Sequence, residues 1–151
     1  MFRCTRFTVD YLKVSLEDAE CSQLDEYFDL AADLIEHHRM NGGKTLVHCA
    51  AGRSRSASLC IIYLVKYGKQ SLRDSFLTIR RARPVIAPNP GFWRQMIKFE
   101  KGLNNGKATV EMLPRFQSEV ADVCLTPREL EYIKRWLQKT NDSAKKRAAR
   151  I

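Results

Sequence analysis

One short segment of the 151-residue chain concentrates the residues that could do chemistry. It reads His48-Cys49-Ala50-Ala51-Gly52-Arg53-Ser54-Arg55-Ser56. A cysteine thiolate is a nucleophile, and an arginine six positions later can fold back and bind two oxygens of one oxyanion. Gly52 lets the backbone curl without a Cβ clash, so that successive N–H groups can point at one centre. The segment therefore predicts a nucleophile beneath a bound oxyanion.

The flanking sequence places this segment between two buried elements. Residues 44–48 (K-T-L-V-H) indicate a short strand, and the following S-A-S-L-C-I-I-Y-L-V-K-Y is apolar nearly all round, which predicts a buried helix closed by Gly68. A loop from a strand into a helix directs backbone N–H groups and the positive helix end at one point. We therefore expect the Cys49 thiol to ionise well below the free pKa of about 8.5.

Other roles for the segment are less well supported by the residue pattern. Cysteines at strand ends are commonly buried, inert thiols, but glycine and arginine at these offsets favour a nucleophile. The segment has one glycine and no Gly-Lys-Ser/Thr ending, which disfavours a nucleotide loop. No second Cys or His cluster has zinc-like spacing, and His37-His38 lie on a charged helix end. We predict neither a metal nor an organic cofactor.

The rest of the chain alternates predicted strands and helices, which indicates an α/β domain. The predicted strands are residues 7–16, 44–48 and 109–113. Helices are predicted after the caps Ser22 and Ser71, over an amphipathic stretch marked by Phe92 to Leu103, and after the capping box Thr126-Pro127-Arg128-Glu129. Asn41-Gly42-Gly43 ends the first helix, and the proline-rich residues 84–90 form a loop.

Length and composition exclude several classes of protein. With 44% hydrophobic and 28% charged residues, the chain has the balance of one globular domain. It contains no run of about 20 apolar residues for a membrane span, and its start lacks the apolar core of a secretory signal. Five cysteines, an odd number without framework spacing, favour a reducing compartment. We expect a cytoplasmic protein and leave the nucleus open.

The net charge of +9 is unevenly distributed. Residues 1–40 carry a net charge of −5, residues 41–102 carry +10 and residues 103–151 carry +4. A basic middle, which includes Arg53, Arg80, Arg81 and Arg83, indicates an anionic partner such as a phosphorylated substrate, nucleic acid or anionic lipid. Short basic ends such as A-K-K-R-A-A-R are usually only solvated, so nucleic acid is the less favoured partner.

Two motifs together resemble a known family. H-C-x-x-G-x-x-R-S, followed by R-P-x-x-x-P-N-x-G-F at Arg83-Pro84, Pro88-Asn89 and Gly91-Phe92, resembles the small atypical dual-specificity protein phosphatases of the cysteine-phosphatase superfamily. The resemblance covers about residues 7–123. It implies a single-domain α/β fold whose central sheet is flanked by helices. We assign residues 1–106 to the catalytic domain, 107–125 to a C-terminal packing segment and 126–151 to a C-terminal helix with a basic tail.

The resemblance also implies roles for the residues of the first motif. Cys49 is the nucleophile that forms a phosphocysteine intermediate, and Ser56 assists departure of the thiolate. Arg55 binds phosphate and stabilises the transition state. The other phosphate-binding positions of the loop are Cys49, Ala50, Ala51, Gly52, Arg53 and Ser54.

Three more residues take roles from the same resemblance. His48 orders the loop through hydrogen bonds, and Asn89 holds the shape of the loop. The family's general acid is an Asp at the end of a strand upstream, and Asp18, 31 residues before the cysteine, fits that position. Glu17 and Glu20 are the neighbouring alternatives. A carboxylic acid on a loop could protonate the leaving oxygen and then activate water.

The resemblance implies hydrolysis of phosphotyrosine and of phosphoserine or phosphothreonine in protein substrates. Family members have further strands and a helix before the position of Phe7, so we expect an N-terminally shortened domain. A shortened product and a domain whose C-terminal extension replaces lost packing are both open interpretations. The alternative functions are a phosphate-recognising interaction protein with weak or no catalysis, and a phosphatase of RNA 5′-phosphates or phosphoinositides. The sequence does not indicate an oligomeric state.

Overall fold

The structure of the protein is a computed structural model that describes residues 9–115 and 117–148, with side chains through Lys145. Its helices are α1 (Phe28–Met40), α2 (Arg55–Lys66), α3 (Leu72–Ala82), α4 (Pro90–Leu103) and α5 (Pro127–Ala148). Its strands are β1 (Met112–Arg115) and β2 (Ser118–Ala121). Short 3-10 turns, Leu24–Tyr27 and Asp122–Cys124, precede α1 and α5. Helices therefore dominate the described part of the chain.

Side-chain caps start the later helices where the sequence predicts them. The Asp74 N–H donates to the Ser71 hydroxyl at the start of α3. At the start of α5, the Thr126 N–H donates to Glu129 Oε2 over 2.9 Å and the Glu129 N–H donates to Thr126 Oγ1 over 3.3 Å, which is a capping box. The prediction for Ser22 is wrong, because a 3-10 turn starts two residues later and has no side-chain cap.

The four helices α1 to α4 enclose the hydrophobic core. α2 lies in the middle and packs against the other three. The side chains that are almost fully buried include Phe28, Ile61, Ile62, Phe76, Phe92 and Met96. Phe76 packs edge-to-face on Trp93, with ring centroids 5.0 Å apart. Burial of each such side chain stabilises the fold by about 1.5–3 kcal/mol, so α2 provides a rigid base for the loop that precedes it.

The strands predicted at residues 7–16 and 44–48 do not form a central sheet in the described part of the chain. The one described sheet is a two-stranded antiparallel pair, with Met112 opposite Ala121, at the C-terminal side of the core. Residues 9–16 and 44–48 belong to no ladder between described residues, and residues 7–8 lie outside them. The Leu46 side chain is 85% exposed. A strand forms only where a neighbour accepts and donates its backbone hydrogen bonds, which a local apolar alternation does not guarantee.

The C-terminal region adds the hairpin and α5. α5 packs on β1, and the Ile133 side chain is buried, whereas Tyr132 and Trp136 are exposed. The predicted strand at residues 109–113 is displaced, because β1 starts at Met112. Among the described helices, none is both long and apolar enough to cross a membrane. The proposed boundaries at residues 106 and 125 stay predictions.

Candidate active site

The loop before α2 curls around the Cys49 sulfur. Gly52 adopts a φ of +63°, in the left-handed region that favours glycine, and its N–H donates to Cys49 Sγ over 3.2 Å. The Ser56 hydroxyl, on the first turn of α2, lies 3.2 Å from the same sulfur. The predicted arrangement of a cysteine beneath a loop that leads into a helix N-terminus is therefore present. We call residues 49–56 the nucleophile loop.

These donors change the acidity of the Cys49 thiol. Burial alone would raise its pKa, because burial disfavours the thiolate. Hydrogen bonds from the Ser56 hydroxyl and from the backbone N–H groups of Ser56, Gly52 and Arg53 outweigh burial and lower the pKa to about 7. A larger fraction of the Cys49 side chains is then thiolate at neutral pH than of a free cysteine. This is the electrostatic condition that a cysteine nucleophile needs.

Arg55 is the first residue of α2, and its guanidinium lies on the segment around Leu16 and Asp18. Its Nη1 donates to the Leu16 carbonyl over 2.9 Å, which ties α2 to the segment that carries Asp18. Its Nε is buried and has no hydrogen-bond partner among the described residues, since Asp18 Oδ2 is 3.9 Å away. A buried donor without a partner is destabilising by about 1–3 kcal/mol. The structure places the Arg55 guanidinium on the Leu16 carbonyl and beside Asp18, and its expected binding of phosphate stays a prediction.

Asp18 is joined to the nucleophile loop through one of its two oxygens. Its Oδ1 accepts hydrogen bonds from Ser54 Oγ (2.7 Å) and from Asn89 Nδ2 (2.8 Å). The Asn89 N–H in turn donates to Ser54 Oγ over 3.2 Å. The buried Ser54 hydroxyl thus connects three loops, and Oδ2 is left as the carboxylate oxygen without a hydrogen bond from the described residues. The expected proximity of Asp18 and Asn89 to the loop is present.

Helix α4 holds the segment on which Asp18 lies, residues 16–23, which we call the acid segment. The Gln95 side chain donates to the Ser22 carbonyl over 2.8 Å and accepts from the Asp25 N–H over 2.9 Å. Arg94 forms an ion pair with Glu20 at 2.7 Å. A Cβ atom on Gly91 would overlap the Glu20 carbonyl, so glycine permits the close approach of the segment to α4.

A second segment, residues 83–89, packs along the outer side of the nucleophile loop, and we call it the strap. Arg83 Nε donates to the Gly52 carbonyl over 2.8 Å, and Arg83 Nη2 donates to the Ala51 carbonyl over 3.2 Å. The Ala87 N–H donates to the Arg53 carbonyl, and Arg53 Nε donates to the Val85 carbonyl. Asn89, at the end of the strap, also caps α4 by accepting from the Phe92 N–H.

His48 does not take the position that the sequence predicts. Its side chain is exposed and has no hydrogen bond to the loop within the described ranges. Residues 44–46 are also exposed, Val47 is half-buried, and none of them pairs in a ladder between described residues. Ala50 and Ala51 lie in the loop as expected. The described hydrogen bond of Ala51 is made by its carbonyl, which accepts from Arg83 Nη2, and not by its N–H.

Two expectations about neighbouring groups stay predictions. Glu17 is exposed, and no contact of its carboxylate distinguishes it as an acid in the described chain. Among the described residues, no three His, Cys, Asp or Glu side chains gather into a metal-binding cluster.

Sequence reasoning missed the residues that hold the site from a distance. The sequence places Arg83 in a basic surface and in the second motif but gives it no role, whereas its guanidinium contacts the loop itself. Arg94 and Gln95 had no predicted role, and Gly91 was only a motif match. The second motif, R-P-x-x-x-P-N-x-G-F, contains both Arg83 and Gly91 and was the available signal. The second motif does not indicate that Arg83 contacts the nucleophile loop or that Gly91 contacts the acid segment.

Comparisons with known proteins identify relatives of this chain. The family model of the dual specificity phosphatase catalytic domain matches residues 3–102. Human dual specificity protein phosphatase 21 is 45% identical over 115 residues, which are 76% of this chain and 60% of that protein. Human dual specificity protein phosphatase 14 is 46% identical over 114 residues, or 76% of this chain and 57% of that protein. The chain thus spans about 60% of the length of these relatives.

A solved structure supports the same assignment. A mouse putative dual specificity phosphatase, crystallised as a complex with zinc tungstate, is 37% identical and superposes with a TM-score of 0.61. The match covers 62% of this chain and 59% of the mouse chain. The predicted fold family is therefore confirmed, although the described sheet has only two strands. The chain belongs to the family of dual specificity phosphatase catalytic domains.

Proposed function

We propose that this protein is a protein phosphatase that hydrolyses phosphate esters through a phosphocysteine intermediate. The observation that carries the proposal is the set of donors around one sulfur. The Gly52 N–H and the Ser56 hydroxyl each lie 3.2 Å from Cys49 Sγ, and the pKa of the thiol is lowered to about 7. Such a thiolate can attack a phosphorus atom bound above it.

In the first step, the Cys49 thiolate attacks the phosphorus and forms an S–P bond. The P–O bond to the substrate oxygen breaks, and protonated Asp18 gives its proton to that oxygen from Oδ2. The Arg55 guanidinium and the loop amides donate hydrogen bonds to the phosphoryl oxygens as charge shifts toward the leaving oxygen. The products of this step are a free alcohol or phenol and a phosphocysteine.

In the second step, a water molecule hydrolyses the phosphocysteine. The Asp18 carboxylate takes a proton from the water while its oxygen attacks the phosphorus, and the P–S bond breaks. The Ser56 hydroxyl, 3.2 Å from the sulfur, donates a hydrogen bond to the departing thiolate. Inorganic phosphate leaves, and the site returns to its starting protonation state.

The proposed substrates are phosphotyrosine and phosphoserine or phosphothreonine in proteins. The relatives are named dual specificity protein phosphatases, and one was crystallised with tungstate, a tetrahedral oxyanion like phosphate. The exposed Arg53 side chain lies in the nucleophile loop and makes the surroundings of the site basic, which favours acidic phosphopeptides. We further propose that the protein acts in the cytoplasm or nucleus, because a reducing compartment keeps Cys49 as a thiol.

Hydrolysis by the purified 151-residue chain tests the proposal. p-Nitrophenyl phosphate and matched phosphotyrosine and phosphothreonine peptides are assayed with a chelator present, beside the Cys49→Ser variant. We expect turnover by the wild type, none by Cys49→Ser, and retained binding of inorganic phosphate by the variant. Folded wild-type protein without turnover would overturn the proposal in favour of a phosphate-binding module. Faster hydrolysis of a 5′-phosphorylated RNA or a phosphoinositide would assign the enzyme to another substrate.

A further inference from the structure

The contacts of Arg83 fall on two particular peptide groups of the nucleophile loop. Its Nε and Nη2 bind the carbonyls of Gly52 and Ala51. The Ala51 carbonyl belongs to the same peptide group as the Gly52 N–H, and the Gly52 carbonyl shares a peptide group with the Arg53 N–H. A trans peptide is planar, and its C=O and N–H point in opposite directions. Holding both carbonyls outward on Arg83 therefore turns both N–H groups inward.

The inward N–H groups are those that act on the Cys49 sulfur. The Gly52 N–H donates to Sγ over 3.2 Å, and the hydrogen bonds that lower the thiol pKa include those of the Gly52 and Arg53 amides. A cationic donor on the carbonyl also polarises the peptide, which makes its N–H a stronger donor. Arg83 thus contacts the outer ends of the same dipoles whose inner ends face the thiolate.

The surroundings of Arg83 fix its guanidinium against the loop. Its backbone N–H donates to the Ile79 carbonyl at the end of α3, and its carbonyl accepts from the Ile86 N–H. A Cβ atom on Gly52 would come within 3.1 Å of Arg83 Nη2, so the guanidinium packs directly on the glycine. The Ala87 N–H and the Arg53 carbonyl join the strap and the loop at a second point, 2.9 Å apart.

We propose that Arg83 is a positioning residue that orients and polarises the peptide groups of the nucleophile loop for the Cys49 thiolate and for a bound phosphoryl group. The part concerning the phosphoryl group rests on the proposed function, whereas the part concerning the thiolate does not. The role needs a fork of donors and not only a positive charge, because two carbonyls must be held at once.

The first experiment measures the pKa of the Cys49 thiol without any substrate. The rate of iodoacetamide alkylation is followed between pH 5 and 10 by mass spectrometry of the Cys49 peptide, because Cys21 is also exposed. The variants are Arg83→Gln, Arg83→Lys and, as the control, Arg81→Gln. Arg81 is an exposed arginine on α3 that has no described contact with the loop. All variants are compared by circular dichroism and thermal unfolding.

We expect Arg83→Gln and Arg83→Lys both to raise the thiol pKa by about one unit, the size of one lost charge-assisted interaction. The same variants lose the orientation of the amides that we propose bind phosphate. A loss of free energy equal to one pKa unit corresponds to a tenfold change in affinity, so about tenfold more inorganic phosphate should be needed to protect Cys49 from alkylation. Arg81→Gln should match the wild type in both measurements.

Three outcomes would overturn the positioning role. An unchanged pKa in Arg83→Gln shows that the loop holds its amides without Arg83. A normal pKa in Arg83→Lys with a raised one in Arg83→Gln shows that charge alone suffices. Equal shifts in Arg81→Gln and Arg83→Gln show a general loss of positive charge. If the wild type lacks turnover while the Arg83 variants still shift the pKa, the proposed function fails and the positioning role stands.

Discussion

The nucleophile loop and the acid segment face the same site, but the chain builds them in different ways. The groups that contact the Cys49 sulfur come from Gly52 and Ser56, at most seven residues away. The groups that hold Asp18 come from Ser54, 36 residues away, and from Asn89, 71 residues away. One side is thus formed by local backbone geometry, and the other is formed by packing between distant parts of the chain.

The difference teaches which property a substitution on each side should change. Within the nucleophile loop, a changed side chain alters the charge or the donors at the sulfur while the loop stays attached to α2. On the acid side, the position of Asp18 depends on whether the acid segment remains docked on α4 through Gln95, Arg94 and Gly91. Loops docked by a few contacts are the parts of a protein that open at low free energy.

The largest effect is expected from removing the arginine on the nucleophile side. Arg55→Lys keeps a positive charge but loses the planar fork and the buried Nε donor. We expect kcat for p-nitrophenyl phosphate to fall about 10³-fold, at the upper end of the loss for one transition-state donor. Arg39→Lys, in an exposed pair with Glu36 on α1, is the matched control and should leave kcat unchanged. A kcat in Arg55→Lys equal to that of the wild type would contradict the role of the planar guanidinium.

The next effect comes from the acid side and depends on the leaving group. Asp18→Asn can still accept from Ser54 and Asn89 but cannot supply a proton. We expect at least a tenfold loss of kcat with phenyl phosphate, within the ~10²–10⁴ that proton transfer typically contributes, and a smaller loss with p-nitrophenyl phosphate, whose leaving group needs no proton. Steady-state kinetics of both substrates measure this difference. Glu17→Gln is the control, and a larger loss there than in Asp18→Asn would move the acid to Glu17.

A substitution that touches neither reacting group tests the docking of the acid segment. In Gly91→Ala, the new methyl group overlaps the Glu20 carbonyl, so the acid segment must move away from α4. We expect the free energy of unfolding to fall by about 1–3 kcal/mol and kcat for phenyl phosphate to fall about tenfold. The thiol pKa should stay near 7, because the donors to Cys49 are on the other side.

Gly102→Ala is the matched control for that variant. Gly102 also lies in α4, and a Cβ atom there meets no other atom within 4 Å. Alanine should therefore raise the free energy of unfolding by up to about 1 kcal/mol and leave kcat unchanged. If Gly91→Ala behaves like Gly102→Ala in urea unfolding and in kinetics, the acid segment is not docked through that close approach.

The same contrast explains what the sequence could predict about the site. The spacing of Cys49, Gly52, Arg55 and Ser56 is a property of nine consecutive residues, and its geometry follows from backbone rules that any such loop obeys. The resemblance added Asp18 and Asn89. The contact of Arg83 with two loop carbonyls and the docking of Gln95 on the acid segment could not be predicted, because they depend on how α3 and α4 pack.

The fold shows the same limit. The helix caps at Ser71 and Thr126 and the helix end at Asn41-Gly42 are local features, and the structure has them where they were predicted. Alternation in residues 7–16 and the β-branched residues of 44–48 predict strands, but a ladder needs a partner strand, and none of the described residues supplies one. The loop-ordering role of His48 came from the family resemblance. Its side chain is exposed, so the motif alone does not fix the orientation of this histidine.

The smallest effect is expected from a substitution that changes only the donors to the Cys49 sulfur. Ser56→Ala removes the hydroxyl donor 3.2 Å from Cys49 Sγ but keeps the backbone amides, so we expect the thiol pKa to rise from about 7 by about one unit. The thiolate fraction at pH 7 then falls about fivefold, and the acid limb of kcat/KM for p-nitrophenyl phosphate, whose leaving group needs no proton, moves to higher pH. Alkylation rates and pH–rate profiles measure both.

The sign of the linked change in stability provides an independent check. The thiol pKa is lower in the folded protein than in the unfolded chain, so ionisation stabilises the fold fully above the unfolded pKa of about 8.5, and this stabilisation is lost as the pH falls through about 7. Ser56→Ala reduces this contribution. The difference in the free energy of unfolding between wild type and variant should therefore be larger at pH 9.5 than at pH 6. A difference that stays constant between these pH values would mean that the Ser56 hydroxyl contributes to packing and does not stabilise the thiolate.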